Sequence, residues 1–487
     1  MPRGKEILIP LPRKGITCKI PYNDVPPDSI FYAENMFFDV SDGSFKTRKG
    51  TYPITKLPSI SGSYLYDDEF YLVANTDKKI YSYNLNQNSS VGITPSEITS
   101  FGKAKYFLYF QTNLYIVMCD GKNKLIRWKK GDTTATVIEN SPVFVDAIVQ
   151  TSRIIGIDDT KIRLRWSSVY DMNTYPETAY IAIPEAEELI AICPLKHNVS
   201  ALYSKQGIYL VYSQPGTDAS AFRVEKVTDK IPDIMNRFCV VSVQGVNFYL
   251  GRDRKLYMFD GGRVVEITFL RSLLDVSVLH GSPFIKYNPT SDWIYIVWSV
   301  PFENKSKAVV YDFRNNICAG YLIYPYVIND WIFTFAITKL VWKDANMLWS
   351  DANFTWEDTA FRNNFLLTSN KIYTETGLKK DDVYDIIVEL ILPPLVSSGD
   401  VMVENIELFV KNNNPVSVYL GRVDNLVENV AFSYLKDVDL ATNPILNLLT
   451  DRYARTVFIK CKTKGNFEYY GGRAFVYERP VMQREMA

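Results

Sequence analysis

Short apolar runs rich in Tyr, Phe, Val, Ile and Thr recur along most of this chain, separated by Asp-Gly, Asn, Lys and Ser turns. Runs of that length and composition predict strands, and the 3.6-residue spacing of an amphipathic helix is hard to find outside short connectors. One unit repeats: an apolar strand, a short polar turn, then a second strand carrying aromatics. The copies are FYLVANTDKKIYSYN from Phe70, LYIVMCDGKNKLIRW from Leu114, RIIGIDDTKIRLRW from Arg153, ALYSKQGIYLVYS from Ala201, FYLGRDRKLYMF from Phe248, WIYIVWSVPFENKSKAVVYDF from Trp293 and FLLTSNKIYTETG from Phe365. Equivalent positions Tyr71, Tyr115, Ile155, Leu202, Tyr249, Tyr295 and Leu366 stand 44, 40, 47, 47, 46 and 71 residues apart, so the last step contains an insertion, placed near 321–364.

A period in the forties with one hairpin per period leaves room for two more strands, which is the make-up of a four-stranded propeller blade. The pattern predicts an all-β fold, a six- to seven-bladed β-propeller over 61–380. A pair of ordinary antiparallel sandwiches with chance similarity among hairpins is the competing reading. From about Asp381 strand runs continue, but the hairpin repeat stops and Pro393-Pro394 and Asn412-Asn413-Asn414-Pro415 mark turns. This segment, 381–487, reads as a separate C-terminal β-sandwich-like domain. Residues 1–60 read as an N-terminal leader with the first strands, its Phe31 to Phe38 segment lying against the ring.

The most apolar stretch, Tyr321 to Trp342, is interrupted by Pro325, Asn329, Asp330 and Lys339 before it can supply the uncharged span of about 20 residues that a membrane helix needs. Alternation at Trp331, Phe333, Phe335 and Ile337 predicts a buried strand there instead.

A second repeat is independent of the first. Trp166-Ser167 precedes Thr174-Tyr175-Pro176-Glu177-Thr178, and Trp349-Ser350 precedes Thr355-Trp356-Glu357-Asp358-Thr359. Trp166, Trp349 and Trp356 are therefore expected to be structural blade anchors that pack inward at blade corners. A carbohydrate platform built from the same rings is the alternative.

Composition narrows the chemistry. The 487 residues are 47% hydrophobic and 14% aromatic, which fits a globular β protein, and 54 basic residues balance 54 acidic ones, so no global field draws the chain to nucleic acid or membranes. Six widely spaced cysteines with no C-x-x-C, and only His197 and His280, supply no zinc or redox site. The thiols read as buried ones from a reducing cytoplasm. No signal-peptide pattern follows Met1. G-x-S-x-G, H-E-x-x-H and phosphate-cradling glycine loops are missing from the sequence, and Asp260-Gly261-Gly262-Arg263 reads as a tight turn. Carboxylates such as Asp158-Asp159 and Asp381-Asp382 fall in turns, where solvated acids are the default. The expectation is a protein that is not an enzyme, with no catalytic residues, no metal and no small-molecule cofactor.

Basic residues cluster beside hairpin turns of different blades: Lys122, Lys124, Arg127, Lys129 and Lys130; Lys161, Arg163 and Arg165; Arg252, Arg254 and Lys255. If blades are related by rotation, equivalent turns share a rim, and Lys129, Lys130, Arg252, Arg254 and Lys255 are candidates to face a lumen and DNA. Ordinary protection of sheet edges by Lys and Arg is the alternative.

The opening, Pro26-Pro27-Asp28 through Asn35-Met36 to Gly43-Ser44-Phe45-Lys46-Thr47-Arg48-Lys49-Gly50-Thr51, resembles that of tail nozzle proteins of short-tailed bacteriophages, also called tail tubular or packaged-DNA stabilisation proteins. The two Trp-Ser segments resemble that family's blade corners, and Arg455 to Lys462, Phe467 to Tyr470 and Gly471-Gly472-Arg473 are similar to its final hairpin. The resemblance implies a propeller with appended β-domains and a structural virion protein at the distal tail, a conduit and gate for genome retention and ejection. It further implies a homohexamer around the tail axis, contact with other tail proteins such as the adaptor and fibres, and weak, sequence-independent DNA contact in the lumen. Such a protein is made in the host cytoplasm and ends in the virion tail. A carbohydrate-binding or glycan-cleaving propeller is the alternative function.

Overall fold

The computed structural model describes residues 4–18, 22–56, 62–66, 71–84, 89–196, 198–228, 233–300, 302–333, 337–339, 360–362, 364–369, 371–376, 379–412, 414–423, 430–440, 445–447 and 454–479. Among them the chain is strand throughout, helix being limited to short 3-10 turns such as Val276–Leu279. No helix there is long and apolar enough to cross a membrane.

Six blades are built from consecutive strands. Their residue ranges are 62–92, 105–137, 144–182, 189–228, 240–267 and 284–324, each a four-stranded antiparallel meander. A seventh sheet is composite. Ile328–Ile332, Phe365–Thr368 and Lys371–Thr376 come from the far end of the repeat, and the N-terminal strand Gly50–Lys56 adds the outer position. The inner strands of the seven sheets touch in sequence and the last returns to the first, so the ring is closed. It is a β-propeller, sealed by pairing one end of the repeat with a strand from before it, which leaves no open edge between first and last blades.

Apolar clusters fill the gaps between neighbouring blades. Ile116, Met118 and Trp128 of the second blade meet Val73 and Ile80 of the first, while Ile155, Leu164 and Trp166 of the third meet Leu202, Tyr209 and Val211 of the fourth. Ala74 and Tyr83 of the first blade meet Ile332, Leu367 and Ile372 of the seventh across the closure. Tight turns hold the hairpins in register. Thr151 and Ser152 turn the third blade with φ of 47° and 58°, and Gln244 and Gly245 turn the fifth with 49° and 85°, the positive-φ pair a two-residue hairpin requires.

The expected insertion near 321–364 is placed differently. Ile317–Tyr324 is the regular outer strand of the sixth blade and Ile328–Ile332 the inner strand of the seventh. The extra residues fall between Ile332 and Phe365, where Ile337–Lys339 pairs with Ala360–Arg362. The 321–332 stretch is apolar because both faces of these strands are covered: Leu322 and Trp331 are fully buried.

The described residues among the first 60 do more than lie against the ring: they supply strands both to its sheets and to the C-terminal ones. Lys5–Ile9 pairs with Phe467–Arg479, Tyr32–Glu34 with Ile387–Ile391, and the hairpin Met36–Asp39/Ser44–Thr47 joins the sixth blade's outer strand on one side to Phe467–Arg479 on the other. Ring and C-terminal strands thus share one 15-stranded sheet. Gly320 lets the hairpin approach, since a Cβ there would meet the Met36 carbonyl at 2.8 Å and the Phe37 ring at 2.9 Å. The C-terminal strands curl, with register shifts along the 18-residue strand Leu395–Asn412.

Candidate functional site

In every blade the turn between the second and third strands lies at the same end of the ring as the connection to the next blade, because strand direction alternates from the axis outward. Hydrogen bonds between the two confirm the shared rim: Leu189 N donates to Lys161 O at 2.7 Å and Arg252 N to Asp233 O at 2.8 Å. We call this end the linker rim and the other the far rim.

Lys122, Lys124, Lys161, Arg252, Arg254 and Lys255 stand at the linker rim. Lys129 and Lys130 do not. They follow the third strand Ile126–Trp128 and turn into Thr136–Val137, which puts them on the far rim. The five candidate lumen residues Lys129, Lys130, Arg252, Arg254 and Lys255 are therefore split between opposite ends, one strand crossing being enough to change rims. Arg127, Arg163 and Arg165 lie within third strands.

Acids sit beside most of these cations. Arg252 pairs with Asp233 at 2.9 Å, Lys255 with Glu266 at 2.7 Å and Lys129 with Asp132 at 3.8 Å. Glu188, on the connection between the third and fourth blades, takes Lys161 at 2.8 Å and Lys205 at 2.5 Å, and these hydrogen bonds hold its carboxyl down at about 2. That carboxylate ties the turns of two neighbouring blades together.

A second group of charges was not foreseen. At the linker rim's opening onto the axis, Lys105 of the second blade's inner strand pairs with Asp146 of the third, and Lys286 of the sixth with Asp330 of the seventh, both at 2.7 Å. Arg237, on the connection into the fifth blade, donates to the carbonyls of Val145 and Lys103, which belong to the third blade and the connection into the second. The Lys103 ammonium lies 4.6 Å from the centre of the Phe238 ring and 4.7 Å from that of Phe284. Arg237, Phe238 and Lys103 therefore span the axis at this end. In sequence each is a lone residue in an unremarkable connector, and only ring closure brings them together.

Trp166 is fully buried, 5.1 Å from Phe222 of the next blade, and its Nε1 donates to the Asp218 carbonyl at 2.7 Å. Ser168 donates to the Asp218 carboxylate at 2.6 Å and Arg153 pairs with it, which lowers the Asp218 pKa. The ring is an anchor between blades with no face for a sugar. Trp349 and Trp356 lie outside the described residues. Among the described residues no three of His, Cys, Asp or Glu gather as a metal site requires.

No protein-family model and no curated protein sequence matches the chain. Among solved structures it is similar to a quinonprotein alcohol dehydrogenase-like protein from Bacteroides thetaiotaomicron, at 13% identity over 54% of this chain and 65% of that one, with a TM-score of 0.35. The chain thus spans somewhat under two thirds of that protein's length. It is also similar to YCF48 bound to a D1 peptide, at 10% identity over 68% of this chain and 95% of that one, with a TM-score of 0.40. Likeness at this level carries nothing about what the chain does.

Proposed function

We propose that this chain is a structural protein of a short-tailed phage tail, a conduit and gate at the distal nozzle for genome retention and ejection. The observation that carries the reading is the joint built by Asn35, Arg48 and Thr51, three residues of the segment that resembles the nozzle family. Arg48 and Asp381 are 1% and 3% exposed, and all five guanidinium N–H groups are used: Nε to Asn35 Oδ1 at 3.0 Å, Nη1 to Lys49 O at 2.9 Å and Asp381 Oδ1 at 2.8 Å, Nη2 to Ile323 O at 3.0 Å and Asp381 Oδ2. Thr51 adds a hydrogen bond to Asp381 Oδ1 at 2.9 Å, and Asn35 donates to Ile387 O at 2.8 Å. The joint makes the propeller and the C-terminal strands one body, which suits a part that bears load in an assembly.

In this reading six copies surround the tail axis, contact neighbours such as the adaptor and fibres, and touch DNA weakly and without regard to sequence. The propeller's own axis is crossed by Arg237 and Phe238, so the genome runs between copies rather than through a single ring. The test is the copy number in purified particles by quantitative mass spectrometry. Six per particle is expected, and one or two, or a number matching the capsid, contradicts the reading.

A further inference from the structure

Two carboxylates face each other in the seam between the N-terminal strand Tyr32–Glu34 and the C-terminal strand Ile387–Ile391. The strands run antiparallel, with Tyr32 opposite Ile391, Ala33 opposite Leu390 and Glu34 opposite Glu389. Directly opposed residues carry their side chains on one face with Cβ atoms about 5 Å apart, where two like charges work against the pairing. The two acids are not equally compensated. Glu389 forms an ion pair with Lys460 at 2.6 Å and has Lys462 opposite it on the next strand. Glu34 is partly buried, and its carboxylate accepts from the Tyr32 hydroxyl at 3.1 Å, with no cation within ion-pair distance among the described residues. Lys462 and Lys307 act on it from further away, and Lys307 is itself paired with Asp275 at 2.7 Å. Tyr321, whose ring lies 5.7 Å from that of Tyr32, completes the groups around it. Burial, together with the Glu389 charge, pushes the Glu34 carboxyl above the ordinary carboxylate range, against the Tyr32 hydrogen bond and the two lysines.

We propose that this seam is a pH-sensitive joint: a proton on Glu34 seats the strand Tyr32–Glu34 against Ile387–Ile391, and its loss loosens the strand. The closed seam holds the Glu34 proton more tightly than the open one. It is therefore firmest below the ordinary carboxyl value of about 4.3 and loosens as pH rises through the higher value that Glu34 has when the seam is closed. The next residue carries the effect onward. Asn35 donates to Ile387 O at 2.8 Å and accepts from Arg48 at 3.0 Å, so the proton acts on the joint that ties the ring to the C-terminal strands. The inference does not depend on the virion reading.

The experiment is hydrogen exchange of the full chain read by mass spectrometry from about pH 4.5 to 8, corrected for the intrinsic exchange rate, on the peptides that carry Tyr32–Glu34 and Ile387–Ile391. Opening of both should increase with pH, by up to about tenfold per unit while Glu34 titrates, and then level off. The buried third-blade strand Arg153–Asp158 serves as the control and should show no such rise. Glu34→Gln, which cannot ionise, should hold both peptides near their acid-limit protection at every pH. Glu389→Gln removes the opposed charge, so the rise should end at lower pH, and it gives the comparison if Glu34→Gln does not fold. Protection of the wild-type seam that is independent of pH, a rise that survives Glu34→Gln, or a rise that Glu389→Gln leaves unmoved overturns the proposal.

Discussion

Arg48 and Asp381 form a buried ion pair between residues 333 positions apart, with the Tyr324 ring 4.2 Å from the guanidinium carbon. The pair sits where the N-terminal hairpin, the sixth blade, the seventh blade and the C-terminal strands meet. Removing one partner strands the other charge in a dry site, so Arg48→Met should cost roughly 3–5 kcal/mol, whereas removing both in Arg48→Met/Asp381→Leu should cost much less than the sum of the single changes. Urea unfolding of the three variants checks this. Strictly additive losses would mean that the two side chains do not interact.

Trp166 anchors the third blade to the fourth. Trp166→Ala should cost roughly 3–5 kcal/mol through the cavity it leaves. Trp166→Phe keeps much of the volume and loses the hydrogen bond to Asp218, so its melting temperature should lie between those of Trp166→Ala and the wild type. A Trp166→Ala protein that melts like the wild type would contradict the burial.

Two groups set pH trends in separate ranges, one acid and one alkaline. Glu188 is lowered to about 2 in the fold by Lys161 and Lys205, below its ordinary value, so its contribution is present above the unfolded carboxylate pKa of about 4.3 and fades as pH falls toward about 2. Lys103 has the same sign at the alkaline end, but there a burial penalty is relieved rather than a favourable pairing gained. The fold holds its pKa at about 8 against an ordinary value of about 10.4, so between those pH values the unfolded chain binds more protons and stability rises with pH. Glu188→Gln should flatten the acid limb of a stability profile, and Lys103→Met the alkaline limb. Profiles unchanged by both substitutions would contradict the charge assignments.

The split of basic residues between rims makes the DNA-contact proposal divisible. Charge reversal at Arg252, Arg254 and Lys255 and reversal at Lys129 and Lys130 act on opposite ends of the ring, so if only one end meets DNA, only one set should alter genome retention or ejection. Contact of this kind weakens steeply with salt. Normal ejection in both sets, with folding intact, would leave these residues as protection of sheet edges.

What was legible in the sequence was local. A hairpin with its turn lies within about a dozen residues, so the repeat, the blade spacing and the inward role of Trp166 are visible in one pass. Ring closure is not, because Gly50–Lys56 pairs with Lys371–Thr376 across more than 300 positions and has no partner pattern near it. For the same reason the opening residues read as a leader and the Arg48 joint went unseen. The 321–332 strands fall inside the expected insertion because the repeat is tracked by its central hairpins, and the 71-residue step from Tyr295 to Leu366 does not show where the extra residues begin. The axial charges were missed because a Lys or Arg on a connector, as Lys103 and Arg237 are, or on an inner strand, as Lys105 and Lys286 are, looks like any surface residue until ring closure brings them together.

The central claim, that this chain is a tail-tip component, is tested most directly by electron microscopy of purified particles labelled with antibody against it. The account predicts label at the distal end of a short tail, with end-on views of detached tails showing six copies around an open axis. Label on the capsid shell, or particles that carry none of the protein, would contradict it.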